Sequence, residues 1–401
     1  MNKKVVVTGI GVVTSIGIGR EDFWKNLTAG KSGISKVTLF DTSKFKRSNA
    51  GEIKNFTPSD FIPKNIVQFL GRASQFAIAS TKLALEDAQL NLANVRECNP
   101  AVIIGTTMAE SSVIDFSGEM FIRDRWEEIS AQLLMSTFSP SIARNIGCFF
   151  GFKGTNLLIP NACAAANYAV GYGYDLIQKG EIDIAIVGGA EALSRVAFQG
   201  FQRLYAMAPQ VCAPFDKNRQ GMLLGEGAGI LILESLERAK ERNAPIYAQV
   251  DGYGLSCDAF NMTIPNRVGI RKAMQKAIQN SQTSIDEIGY ISAHGTGTIQ
   301  NDKEESGAIK ELFGEKRVAV SSIKSMLGHT MGAASALEAI ACCLALKEEM
   351  APPTINFKTA DPDCDIDCVS NQARKLSFKK ALNNGFAFGG NNCCVVFSEH
   401  R

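Results

Sequence analysis

Apolar and polar positions alternate along this chain in blocks of two lengths. Short β-branched runs predict buried strands at Val5–Thr8, Ala101–Gly105, Asn156–Ile159, Ile182–Val187 and Gly229–Glu234. Longer stretches with three-to-four spacing predict helices at Ser74–Ala88 and, rich in small residues, from about Ala164 to Gln178. After about Pro245 the order begins again. Strands are expected at Ala248–Leu255, Gly289–Ser292, Val318–Ser321 and Cys393–Phe397, with helices at Ile270–Asn280 and from about Gly332 to Lys347. Alternating strands and helices favour buried sheets covered by helices. The pattern therefore predicts an α/β protein with a duplicated core, its halves being residues 1–248 and 249–401. The stretch from about 107 to 152 fits the pattern least and is expected to be an insertion that serves dimer contacts or lines a pocket.

Composition narrows the classes. The 401 residues are 45% hydrophobic and 20% charged, which excludes a disordered chain. A formal charge of +2 argues against bulk nucleic-acid binding. The start, MNKKVVVTGIGVVTS, lacks a long apolar leader and reads as the first strand and its turn. No apolar run reaches the ~18 residues that suggest a membrane span. The 11 cysteines are scattered or adjacent, without C-x-x-C. They fit free, mostly buried thiols in a reducing cytoplasm, with neither a disulfide framework nor a metal site. Cys364 and Cys368 lack further ligands nearby.

Histidine is scarce, with only three in the chain. His294 lies in AHGTGT and His329 in KSMLGHTMGAAS, both Gly-rich and next to helices. His400 is near the end and is expected to be solvated. Cys163, in PNACAAAN, falls between a strand end and a helix start. Free N–H groups and the positive dipole end there favour a thiolate. A Cys and two His on matching loops of a duplicated core form a constellation suited to covalent acyl transfer.

Six segments carry a family resemblance: VVVTGIGVVTSIG, NACAAAN, PFDKNRQGMLLGEGAG, HGTGTIQND, KSMLGHTMGAASALE and GFAFGGNN. In this order they resemble the β-ketoacyl-acyl carrier protein synthases of the Cys-His-His type, within the thiolase-like condensing enzymes. The resemblance runs essentially end to end. It implies a layered α/β/α/β/α core and a decarboxylative Claisen condensation. Cys163 would hold an acyl chain as a thioester, while His294 and His329 stabilise the malonyl-derived enolate. Lys324 and Glu338 would form a buried pair near His329. Backbone N–H groups of Cys163 and Phe388 would form an oxyanion hole, with Phe388 also acting as a gate. Thr296 and Thr298 would bind the pantetheine arm, and Asp302 would hold their loop. Gly389 and Gly390 would let backbone approach the thioester. Phe201 and Met108 would line the acyl pocket, Met108 across a dimer interface. No cofactor of its own is implied, because the phosphopantetheine belongs to the carrier.

The implied partners are an acyl carrier protein and either a second copy or a related subunit. Carriers are acidic, so Lys and Arg are expected at the entrance. Where relatives are more basic, this chain has Asn65, Ile66, Val67 and Gln68 after Lys64, and Tyr205 in place of an Arg. Lys44, Lys46, Arg47, Arg123, Arg125 and Arg203 are candidate replacements. The HGTGTIQND and AFGGNN segments look closest to aryl-polyene and polyketide synthases. The competing readings are weaker. A non-catalytic chain-length subunit typically lacks the nucleophile. A thiolase acting on coenzyme A esters needs a second catalytic Cys, and Cys393-Cys394 reads as core. The opening Gly-x-Gly is too short for a dinucleotide fingerprint.

Overall fold

The computed structural model describes residues 2–138 and 141–400. Ten strands form the framework: β1 (Val5–Thr14), β2 (Ala101–Gly105), β3 (Asn156–Ile159), β4 (Ile184–Glu191), β5 (Gly227–Ser235), β6 (Ala248–Cys257), β7 (Ile288–Ser292), β8 (Ala319–Ser321), β9 (Lys380–Phe386) and β10 (Asn391–Ser398). The first five run in the spatial order β3-β2-β4-β5-β1, and the second five in the order β8-β7-β9-β10-β6. Strand directions repeat too. Each half has two parallel pairs at its outer end and two antiparallel pairs inward. The halves meet where β1 pairs antiparallel with β6. The duplication predicted from the hydrophobic pattern is therefore topological, strand for strand.

Eight helices complete the layers: α1 (Arg72–Asp87), α2 (Ser111–Ile122), α3 (Ser141–Phe150), α4 (Ala165–Gln178), α5 (Arg195–Arg203), α6 (Arg267–Asn280), α7 (Ile299–Phe313) and α8 (Ala334–Glu348). Helix α1 covers β1, β4 and β5, and α6 covers β6 and β10. Helices α4 and α8 pack on each other and on strands of both halves, forming the middle layer. Every residue of α8 from Ala334 to Leu346 is buried, as a helix apolar on all sides must be. Small residues allow the close packing. At Gly11 a Cβ would lie 1.8 Å from the Ser80 carbonyl oxygen of α1.

The irregular stretch between β2 and β3 folds into α2, the short helix Ala131–Met135 and α3. Helix α3 buries Ile142, Ile146 and Phe150 in the core. The part before it leaves Phe121, Ile122, Trp126 and Phe138 exposed.

Candidate active site

The two halves deliver equivalent turns to one place. After β3 the chain passes through a 3-10 turn, Ala162–Ala164, into α4. At the matching point of the second half, the turn Met331–Ala333 leads into α8. Ala162 and Met331 each sit in the left-handed region at φ 46. Such strained non-glycine backbone concentrates where function fixes geometry. Cys163 lies in the first turn and His329 just ahead of the second. His329 Nε2 is 3.0 Å from Cys163 Sγ. His294, following β7, sets its ring 5.3 Å from that of His329, nearly perpendicular to it.

Hydrogen bonds decide which imidazole nitrogen carries the proton. The Met331 N–H donates to His329 Nδ1 at 3.3 Å. Lys324 Nζ lies 3.3 Å from His294 Nδ1 and donates to the His294 carbonyl at 2.6 Å. An ammonium only donates, so Nδ1 accepts in both rings and Nε2 carries the hydrogen. Burial, with Lys324 nearby, holds both histidines well below the usual imidazole range; His329 adds to the effect on His294. Both are therefore neutral Nε2–H donors near pH 7.

The thiol differs from its sequence expectation. Burial pushes Cys163 up to about 12, and the Lys324 charge and the Phe388 N–H facing the sulfur oppose this without overcoming it. Enclosure outweighs the helix terminus, so the resting group is a thiol.

Lys324 and Glu338 do pair, fully buried. The pair is near His329, whose pKa the Lys324 charge helps burial to lower, but its hydrogen bonds go to His294. The reason is the position of β7 beside β8, which brings the His294 carbonyl within reach of Lys324. Burial lifts the Glu338 carboxyl to about 7. Lys324→Met would leave that carboxyl without its cation and raise it further. A carboxyl with a raised pKa is tolerated only while protonated, so the destabilisation should grow as pH rises. Urea unfolding should give a loss of about 3 kcal/mol at mildly alkaline pH and less at acidic pH.

Asp302 ties two loops together. It accepts from the N–H of Phe215 at 2.8 Å and of Gly297 at 3.1 Å. Thr296 and Thr298 share a hydrogen bond of 2.9 Å between their hydroxyls. Both line a cavity of about 350 Å3, together with Cys163, His294, His329, Phe201, Phe388 and Gly390. Phe388 stacks on Phe201 at 5.7 Å. Gly389 instead donates to the Met262 carbonyl at 2.8 Å, with φ 80. At Gly390 a Cβ would lie 2.5 Å from that of Asp258. Met108 does not line the cavity of its own chain and is half-buried against the apolar cluster that includes Phe198.

Three of the six candidate entrance cations are engaged elsewhere. Arg123 pairs with Glu119 and Arg125 with Glu128, while Arg47 donates to the Met207 carbonyl. Lys44, Lys46 and Arg203 are exposed.

Two supporting residues, Glu305 and Glu191, escaped the sequence reading. Glu305 accepts from the N–H groups of His294 and Gly295, both at 2.8 Å, and from Asn384 at 3.1 Å. Glu191 binds the N–H groups of Thr107, Met108 and Gly332, joining the loop after β2 to the turn beside His329. Burial lifts it to about 7. Glu191 ends a strand and Glu305 lies on a polar helix, so each reads as an ordinary surface charge; only Glu305's place within the HGTGTIQND segment's helix hinted otherwise.

Fold, turns and side chains together define a condensing-enzyme architecture, and the chain belongs to the β-ketoacyl synthase family. Residues 2–239 match the family's N-terminal domain and residues 247–358 its C-terminal domain. The chain is similar to the 3-oxoacyl-(acyl-carrier-protein) synthase 2 of Synechocystis sp., at 35% identity over 100% of this chain and 99% of that protein. Among solved structures it resembles the ishigamide ketosynthase/chain length factor, with 43% identity, a TM-score of 0.97 and 100% of both chains covered. It also resembles a structure described as a type II PKS acyl-carrier protein in complex with its ketosynthase bound to the hexaketide. There the identity is 32%, the TM-score 0.91 and the coverage of both chains 100%.

Proposed function

We propose that this protein condenses an acyl thioester with a malonyl thioester, both carried on acyl carrier protein, to give a 3-oxoacyl thioester and CO2. The observation that carries the reading is the junction of Cys163 Sγ with two neutral Nε2–H donors at the floor of one cavity. In the first step Cys163 takes the acyl group and the carrier thiol leaves with the proton. His329, 3.0 Å from the sulfur, stabilises the thiolate as it forms. The N–H groups of Cys163 and Phe388 receive the oxyanion.

Malonyl thioester then enters. Among the described residues no Lys or Arg lines the cavity, so its carboxylate finds no counterion in that lining. Leaving as CO2 removes a charge that the site does not stabilise. The electron pair moves onto the thioester oxygen, where His294 and His329 donate. The enolate carbon attacks the Cys163 thioester, the new C–C bond forms, and the Cys163 sulfur leaves and regains a proton. Lys324 keeps His294 in the donating tautomer.

The presence of the nucleophile and both histidines favours a catalytic chain over a chain-length subunit. The likeness to the type II PKS ketosynthase supports a polyketide pathway, and that to the ishigamide ketosynthase/chain length factor supports a paired assembly. Strand β3 ends the sheet with one side unpaired, and the exposed apolar side chains of the 107–152 stretch need cover. A second chain, identical or related, is the proposed occupant; light scattering should read twice the chain mass. The site of action is proposed to be the cytoplasm; among the described residues no helix is long and apolar enough to cross a membrane.

The test supplies malonyl- and acyl-carrier thioesters and follows CO2 and product mass. A 3-oxoacyl-carrier two carbons longer supports the reading. A folded protein that releases neither CO2 nor product, with or without a related subunit, contradicts it.

A further inference from the structure

The outer wall of the cavity is apolar. Leu204, Tyr205, Met262, Ile264 and Ile299 line it and are also exposed to solvent, Tyr205 at 84% and Met262 at 73%. Phe260 and Val268, on the segment that carries Met262 and Ile264, are exposed as well. Tyr205 sits at φ 55, uncommon for an aromatic residue and held by its N–H to the Gln202 carbonyl. Among the described residues, no Lys, Arg, Asp or Glu lines the cavity. Arg267 and Arg271, which flank Val268, are engaged by Glu304 and Glu311.

Any arm that reaches Cys163 passes between these residues, because they are the wall of the cavity that Cys163 floors. The protein that carries the arm is then seated on them. Resting on the condensation reading, we propose that the carrier protein docks through apolar contact. The matching carrier presents apolar side chains, not an acidic helix face, around its phosphopantetheine attachment. Association driven this way depends weakly on salt, whereas a ring of Lys and Arg would lose affinity steeply as ionic strength rises.

The experiment measures binding of two holo-acyl carrier proteins to the full-length protein by calorimetry at about 50 and about 400 mM NaCl. One carrier comes from a type II fatty-acid system and one from a type II polyketide system. For the tighter binder, Kd should change less than about threefold with salt. Phe260→Asp and Val268→Asp lie outside the cavity wall, and each should weaken binding about fivefold or more. Arg203→Glu, beside Leu204, should change it less than about twofold. A tenfold rise of Kd with salt, a larger effect of Arg203→Glu than of the Asp variants, or no binding by either carrier overturns the proposal. So does self-association that Phe260→Asp abolishes, which would assign the patch to a second copy. Acyl transfer to Cys163 from a pantetheine thioester, which has no carrier body, is read alongside. Its absence in the wild type would overturn the condensation reading; its presence while apolar docking fails would remove only this inference.

Discussion

Cys163→Ala is expected to abolish acyl transfer and to reduce condensation by on the order of 10⁴-fold or more. The buried sulfur is the only atom in this arrangement that can hold the growing chain 3.0 Å from an imidazole donor. Alanine fills most of the same space, so folding should be preserved and circular dichroism should match the wild type. Decarboxylation should behave differently. The enolate donors are still present, so the variant should keep releasing CO2 from malonyl-carrier without forming a C–C bond. Parallel assays of CO2 and 3-oxoacyl product check both halves of this result. Loss of decarboxylation together with condensation would mean that the sulfur also serves the malonyl step.

The second large effect belongs to the histidines. His294→Ala should lower malonyl decarboxylation by about 10²–10³-fold, the range for removing one preorganised donor to a developing oxyanion. Acylation of Cys163 should persist, since His294 faces Lys324 and Phe386 and only His329 bonds the sulfur. His329→Ala should lower decarboxylation to a similar extent and slow acylation as well. Rates of adduct formation and of CO2 release, measured separately, resolve the two roles. Equal losses in both assays for both variants would make the histidines interchangeable, against the geometry. Because burial holds both imidazoles well below their usual range, acidification from pH 8 to about 6.5 leaves them neutral donors.

The strand and helix framework was legible because its elements are apolar at the right period. Ala101–Gly105 and Asn156–Ile159 stand as read, and α4 and α8 start within a few residues of expectation. Two elements of the second half were not read. Strand β9, KALNNGF, carries Asn383, Asn384 and Gly385, residue types that strands disfavour. Their side chains are buried by specific bonds, Asn383 to Asn167 at 2.8 Å and Asn384 to Glu305 at 3.1 Å. Helix α7 turns Asn301, Asp302, Glu305 and Ser306 inward, so only its second half, with Ala308, Ile309 and Phe313, buries apolar side chains.

The site was legible as a set of motifs, not as geometry. The two histidines came from Gly-rich segments and Cys163 from an Ala-rich one, each next to a strand or a helix start. The hydrogen-bond partner of Lys324 beyond Glu338 was not legible, since the reach to His294 depends on which strands are neighbours. The Cys163 thiol was misjudged for a related reason. Sequence places it at a helix start, but only the packed structure reveals how completely it is enclosed. The character of the entrance was not legible from the acidity of carriers in general: the cavity wall carries Tyr205, Met262 and Ile264, while the candidates Lys44, Lys46 and Arg203 are exposed.

The most direct test of the central claim is intact-mass spectrometry of the wild type after incubation with acyl-carrier thioesters of graded length and unsaturation, followed by peptide mapping. The account predicts one acyl group per chain, on Cys163 and on none of the other ten cysteines, lost again on addition of malonyl-carrier. An adduct on another cysteine, or none from a folded protein with any donor and any related subunit, would contradict it.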